Sequence, residues 1–276
     1  MNYLNPDIRD LKQFGKEKHE EYINAKPFPS IVLDNFFNED FLSQIADEFP
    51  DLSKQQDVIT YNNQNEKKLE AKGEKYFSDK TKALAHFLNS QPVLEFLQEL
   101  TGIKEKLMPD PYFVGGGYHE IKPGGLLKVH ADFNKHDYLK LDRRINLLVY
   151  LNKDWDESYG GHFELWDKNM TKAQAKVLPI FNRVAIFSTT DFSYHGHPNP
   201  LTCPPDRSRK SLALYYYSNG RPKSEISPKG HGTLFVNRAG INDDVIKEPV
   251  TIKDIIREIT PPFLFKAIKK IVKKEE

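Results

Sequence analysis

Apolar residues at helical spacing mark the first part of this chain, and short apolar runs between turns mark the second. Residues 1–26 are polar and charged, with Ile8–Lys18 predicted as a surface helix. Phe28–Asp34 reads as a strand. Asn38 then offers an N-cap, and Phe41, Leu42, Ile45 and Phe49 recur at helical spacing until Pro50 stops the helix. Residues 51–75 are polar, with Asn62-Asn63-Gln64-Asn65 and Glu66-Lys67-Lys68, and read as a long loop, either solvent-exposed or a lid. Asp79–Leu88 carries Leu84, Phe87 and Leu88 on one side of a helix. Ser90 caps another, with Pro92 in its first turn and Val93, Phe96, Leu97 and Leu100 inward.

From about Tyr112 the helical spacing gives way to short strand-like runs separated by turns. Phe113–Ile121, Leu126–Asp132, Arg144–Asn152, Gly161–Trp166, Ala175–Ile180, Arg183–Ser188, Tyr194–His197 and Arg209–Ser218 read as short strands, with Phe181-Asn182 a tight turn. That spacing predicts a sandwich or barrel. After Ser218, Ser227–Gly232 reads as a loop, followed by helices over Ile252–Glu258 and Phe263–Lys274. The last joins seven apolar residues to five lysines. It suits packing on the protein's own core or peripheral contact with an anionic membrane.

Composition narrows the partners. With 276 residues, 40 basic and 39 acidic, the net charge of +1 gives no pull toward nucleic acid, and none is expected as a partner. Aromatics at 12% suit a β-rich core. Cys203 is the single cysteine, which excludes an internal disulfide. No secretory leader and no run of about 18 apolar residues is visible, so a cytoplasmic protein is expected.

Candidate chemistry concentrates between Tyr118 and Tyr217. His130-Ala131-Asp132 ends the apolar run Leu126–Val129, after the turn Pro123-Gly124-Gly125. In a strand, residues i and i+2 share a face, so His130 and Asp132 can converge on one ion. His19-Glu20-Glu21 and His162-Phe163-Glu164 have the composition without that context. His195 lies 65 residues after His130, with His197 a competing third ligand on the same strand face. Two histidines and a carboxylate are the facial triad of non-haem Fe(II) oxygenases. Arg207, Arg209 and Lys210 are cations for an anionic co-substrate; Arg209, Ser211, Ala213 and Tyr215 share one strand face.

Several segments together resemble the prolyl 4-hydroxylase-like branch of the Fe(II)/2-oxoglutarate-dependent oxygenase superfamily. They are Tyr118–Gly125, the His130/Asp132 pair, Arg144–Asp156, Gly160–Leu165, Tyr194–Pro198 and Arg209–Tyr217. The resemblance implies a mainly β fold with flanking helices (α+β), built on a double-stranded β-helix or jelly-roll core. Its expected division is 1–111 as N-terminal strand and helices, 112–220 as the Fe(II)/2-oxoglutarate core, and 221–276 as a C-terminal extension. It further implies His130, Asp132 and His195 as metal ligands, with Arg209, Ser211 and Tyr150 on the far carboxylate of 2-oxoglutarate. The cofactor set is Fe(II) with 2-oxoglutarate and O2, and ascorbate as a reductant. The reaction implied is hydroxylation of an unactivated C–H with release of succinate and CO2.

The resemblance leaves the primary substrate open among a protein prolyl residue, free proline or another small molecule, and a glycan or lipid-linked intermediate. Two other classes compete with it: a non-catalytic jelly-roll binding module and a cupin-like metal enzyme. The chain departs from the branch in two places. The step from His195 to Arg209 is 14 residues, longer than is common, and Ile121 stands where some relatives carry a site tyrosine.

Overall fold

The computed structural model describes residues 2–222, 225 and 231–246. The helices expected over 252–258 and 263–274, and most of the loop expected over 227–232, lie outside them. The chain divides into a compact unit, Met1–Val245, and a second unit, Ile246–Glu276. Apart from Ile246, the second lies outside the described residues.

Among the described residues the first unit carries helices α1 (Leu11–Asn24), α2 (Glu39–Asp47), α3 (Asp79–Leu88) and α4 (Gln91–Thr101). Its strands are β1 (Ser30–Asp34), β2 (Ile59–Asn62), β3 (Glu66–Ala71), β4 (Leu107–Met108), β5 (Gly117–Ile121), β6 (Leu126–Ala131) and β7 (Asp142–Tyr150). They continue with β8 (Phe163–Trp166), β9 (Ala173–Val177), β10 (Arg183–Ser188), β11 (His195–His197), β12 (Arg209–Ser218) and β13 (Leu234–Phe235). The antiparallel order β1-β10-β7-β12-β5-β3-β6-β11-β8-β9 forms a nearly closed jelly roll, the double-stranded β-helix expected. β2 adds to β3, β4 to β12 and β13 to β6.

The central strands read as unbroken apolar runs because both faces are covered. On β7 and β12, Ile145, Leu147, Val149, Leu212, Leu214 and Tyr216 face the helices. There they share one core with Leu42, Ile45, Leu84, Leu88, Phe96 and Leu100. The alternate residues line the barrel, where Tyr150 packs with Phe163, Leu165, Ala185 and Phe187. Helices α1, α2 and α3 begin at side-chain caps. Asp10, Asn38 and Ser78 accept from the backbone amides of Gln13, Phe41 and Thr81.

Three expectations are corrected. Residues 51–75 are not a structureless loop: they hold a 3-10 turn, Leu52–Lys54, and the β2–β3 hairpin, whose second strand bridges β5 and β6. Its polarity misleads because β3 turns polar residues toward the interior. Lys68 and Glu70 line a cavity, while Leu69 packs against the helical core. The strand expected from Phe113 starts only at Gly117. Before it, Asp110 accepts from the amides of Tyr112 and Val114 at 2.8 and 2.7 Å and holds a turn, with Phe113 at φ 49°. Ser90 occupies the N-cap position of α4 with Pro92 in the first turn, but its hydroxyl makes no cap bond.

Candidate active site

Strand pairing brings the expected triad together. β11 runs antiparallel to β6 with His195 directly opposite His130, and Asp132 follows the end of β6. Gly196 permits this approach, since a Cβ there would meet the carbonyl oxygens of Leu127 and Lys128 at 2.8 and 2.9 Å. One ligand atom each from His130, Asp132 and His195 lies within 4.8 Å of the others. Both imidazole Nε2 atoms stand 3.6 Å from a carboxylate oxygen of Asp132.

The two rings are held alike. His130 Nδ1 lies 2.8 Å from Lys128 O, and His195 Nδ1 lies 2.8 Å from Ser193 O. A carbonyl can only accept, so each Nδ1 carries the proton and each Nε2 keeps its lone pair facing the cluster. Phe163 and Phe187 pack on the His195 ring, and Phe235 of β13 on that of His130. Neutral imidazoles beside an ionised carboxylate are the donor set that suits non-haem Fe(II).

Two cavities meet at this cluster. An inner one of about 80 Å³ reaches inward to His119, His197, Arg209 and Ser211. An outer one of about 280 Å³ is walled by the β2–β3 hairpin, Phe133, Arg143 and Tyr215. Arg209 is buried; its Nε donates to Gly161 O at 2.8 Å, and its Nη2 lies 3.3 Å from the Tyr150 hydroxyl. Gly161 sits at φ +70°, and a Cβ on it would lie 3.1 Å from Arg209 Cδ and 2.6 Å from Leu201. Among the described residues no carboxylate pairs with Arg209, which lines the inner cavity.

Residues 116–217 match the 2OG-Fe(II) oxygenase superfamily. This chain carries a 2OG-Fe(II) oxygenase domain. That domain makes the chain a 2-oxoglutarate-dependent Fe(II) dioxygenase, and the superfamily its residues 116–217 match uses Fe(II), 2-oxoglutarate and O2. Among curated proteins no sequence matches the chain. Among solved structures, the Pseudomonas putida prolyl-4-hydroxylase superposes with a TM-score of 0.54 at 14% identity, covering 75% of this chain and 100% of its own. A Trichoplax adhaerens prolyl hydroxylase, in complex with a hypoxia inducible factor oxygen degradation domain peptide, gives 0.56 at 17%, covering 77% and 92%. HygX from Streptomyces hygroscopicus, with nickel, 2-oxoglutarate and hygromycin B bound, gives 0.50 at 12%, covering 80% and 96%. At these identities the likeness is one of fold.

Electrostatics at the cluster favour a charged Asp132 carboxylate and a neutral His195 ring. Burial opposes charge on Asp132, but the Arg143 guanidinium, then His195 and His130, outweigh it and hold the carboxyl well below its usual range. Burial pushes His195 down to about 4, against the pull of Asp132. Burial and then Arg209 keep His197 well below its ordinary value. Neither His195 nor His197 therefore needs to lose a proton near neutrality before acting as a ligand or a neutral donor.

The sequence reading overlooked several groups here. Arg143 is fully buried, stacked on Phe133 and Tyr215 with its guanidinium carbon 4.2 and 3.5 Å from the ring centroids. Its Nη2 stands 3.0 Å from Asp132 Oδ2. Asn146 Nδ2 donates to the same oxygen at 3.3 Å. Alternation from Tyr150 would have placed Asn146 inward, but it gave no hint of Arg143. A β-bulge does that: Tyr216 and Tyr217 pair with Ile145 and Arg143, skipping Arg144. Arg144 instead bonds Glu105 and Ser218 at 2.8 and 2.9 Å. Arg207, the weaker cation candidate, donates to Lys153 O at 2.8 Å and does not line the inner cavity. Among the described residues no helix is long and apolar enough to cross a membrane.

Proposed function

We propose that His130, Asp132 and His195 hold the Fe(II), and that Arg209, with Ser211 and Tyr150, anchors the far carboxylate of 2-oxoglutarate. The substrate, a prolyl residue of a protein or a proline-like small molecule, enters the outer cavity and is hydroxylated at an unactivated C–H as succinate and CO2 are released. The observation that carries this reading is the placement of the triad where the two cavities meet. An anion bound to Arg209 in the inner cavity and a substrate in the outer one would both reach His130 and Asp132, which line the two cavities. The iron, when bound, supplies the O2 chemistry that couples decarboxylation to hydroxylation. The chain's own residues bind, orient and exclude water. Arg143 and Asn146 fix the Asp132 carboxylate, the two backbone carbonyls fix the imidazoles, and the aromatic walls keep the cluster dry.

Within the same chemistry, the outer cavity gives weight to a small-molecule substrate. Its volume of about 280 Å³ falls just under the usual range of pockets that enclose small ligands. The test is Fe(II)-dependent succinate formation from 2-oxoglutarate in the presence of proline, proline-containing peptides and a panel of small molecules. Mass spectrometry follows for a product heavier by one oxygen. Substrate-stimulated succinate with that product is expected. Absence of both succinate formation and metal-dependent 2-oxoglutarate binding would leave a binding module.

A further inference from the structure

His197 stands apart from the other two histidines of this region. Its ring is buried, 3% exposed, and neither nitrogen has a hydrogen-bond partner among the described residues. His130 and His195 each spend Nδ1 on a backbone carbonyl and present Nε2 to the cluster. His197 has no such strut and lies outside the group of three. It lines the inner cavity all the same, with Arg209 and Ser211. A neutral imidazole always carries one N–H donor. A buried donor without an acceptor is costly, and one that lines a cavity can meet its partner in what binds there.

Depth indicates which part of the ligand. His197 is two residues beyond His195 on β11 and opposite Leu127 of β6. The register with β6 is irregular between them, yet both residues line the inner cavity, and two strand residues advance about 7 Å. The keto end of 2-oxoglutarate belongs at the triad. The group seven ångströms farther along the wall therefore meets the other end of the five-carbon diacid, where Arg209 waits.

We propose that His197 donates its free ring N–H to the far carboxylate of 2-oxoglutarate, as a co-substrate anchor beside Arg209 and Ser211. This rests on the reading of the inner cavity as the 2-oxoglutarate site. It makes His197 a specificity determinant for a diacid over a 2-oxo monoacid, separate from any part in metal binding.

Calorimetry on the Mn(II)-loaded protein tests it without turnover. The ligands are 2-oxoglutarate and 2-oxopentanoate, which has a methyl group in place of the far carboxylate. His197→Leu is expected to weaken 2-oxoglutarate about 10-fold or more, the scale of one hydrogen bond to a charged group. It should shift 2-oxopentanoate by less than about two-fold, and His197→Gln, which keeps an N–H donor, should recover part of the loss. Unchanged 2-oxoglutarate affinity, or equal losses for both ligands, would overturn the proposal. His197→Phe replaces the leucine variant if that one does not fold, with the same expected outcomes. Arg209→Lys is measured alongside. If it weakens 2-oxoglutarate while the His197 variants do not, only the His197 assignment falls. If the wild-type protein binds no 2-oxoglutarate with metal present, the reading of the whole cavity falls with it.

Discussion

At the scale of single residues, the proposed three-ligand site has no redundancy. His130→Ala, Asp132→Ala and His195→Ala are each expected to abolish Fe(II)-dependent succinate formation. His197→Ala should still bind metal, which Mn(II) titration followed by electron paramagnetic resonance would report. Loss of metal in His197→Ala, with retention in His195→Ala, would reverse the assignment. Arg209→Lys should weaken 2-oxoglutarate binding despite the conserved charge, because lysine lacks the planar fork that Gly161 O and the Tyr150 hydroxyl orient. Arg207→Ala should leave that affinity unchanged, since its guanidinium is turned to Lys153 O. Arginine identity was legible in the chain wherever plain alternation held, as for Arg209. Where a bulge broke the alternation, as at Arg143, it was not.

At the scale of elements, the tight turn expected at Phe181-Asn182 does more than reverse the chain. Asn182 takes φ 59°, and its side chain accepts from Phe37 N at 3.0 Å and donates to Phe37 O at 2.9 Å, tying the β9–β10 connection to the segment before α2. Asn182→Ala loses both buried bonds and strains the left-handed backbone. It is expected to cost about 2–4 kcal/mol in urea unfolding, with no change in the urea dependence of stability.

A second expectation concerns His119 on β5, which burial lowers from 6.5 to about 4 against the pull of Glu70. The unfolded chain protonates this ring near 6.5, while the folded one stays neutral until about 4. Below 6.5 the unfolded state therefore binds more protons. Stability of the metal-free protein should fall as pH drops through that window and be insensitive to this group above it. His119→Gln should make the fall shallower; identical urea midpoints across the window in both proteins would refute it. β3 taught the opposite lesson to the helices. Its polar residues resembled a loop because they face a polar cavity, and no local signal separates the two.

At the scale of the whole molecule, folding and ligand binding are linked, because no single element contains the site. Mn(II) and 2-oxoglutarate together are expected to raise the melting temperature in a concentration-dependent way, following RT ln(1 + [L]/Kd). Chelation should reverse the shift, and Arg209→Lys should need more 2-oxoglutarate for the same shift. A melting temperature insensitive to both ligands would contradict the assignment.

The sequence alone determined what neighbours along the chain decide. The cap at Asn38 set the start of α2. Strand parity put Arg209 and Ser211 on one face and let His130 and Asp132 share another. Only the tertiary structure decided that His195 lies across from His130, that β3 joins β5 and β6, and that Arg143 rather than Arg144 reaches Asp132. The reason is range. Periodicity and capping are written in contacts a few residues apart. Strand register and bulges are settled by pairing between distant segments, whose geometry no local stretch of sequence carries.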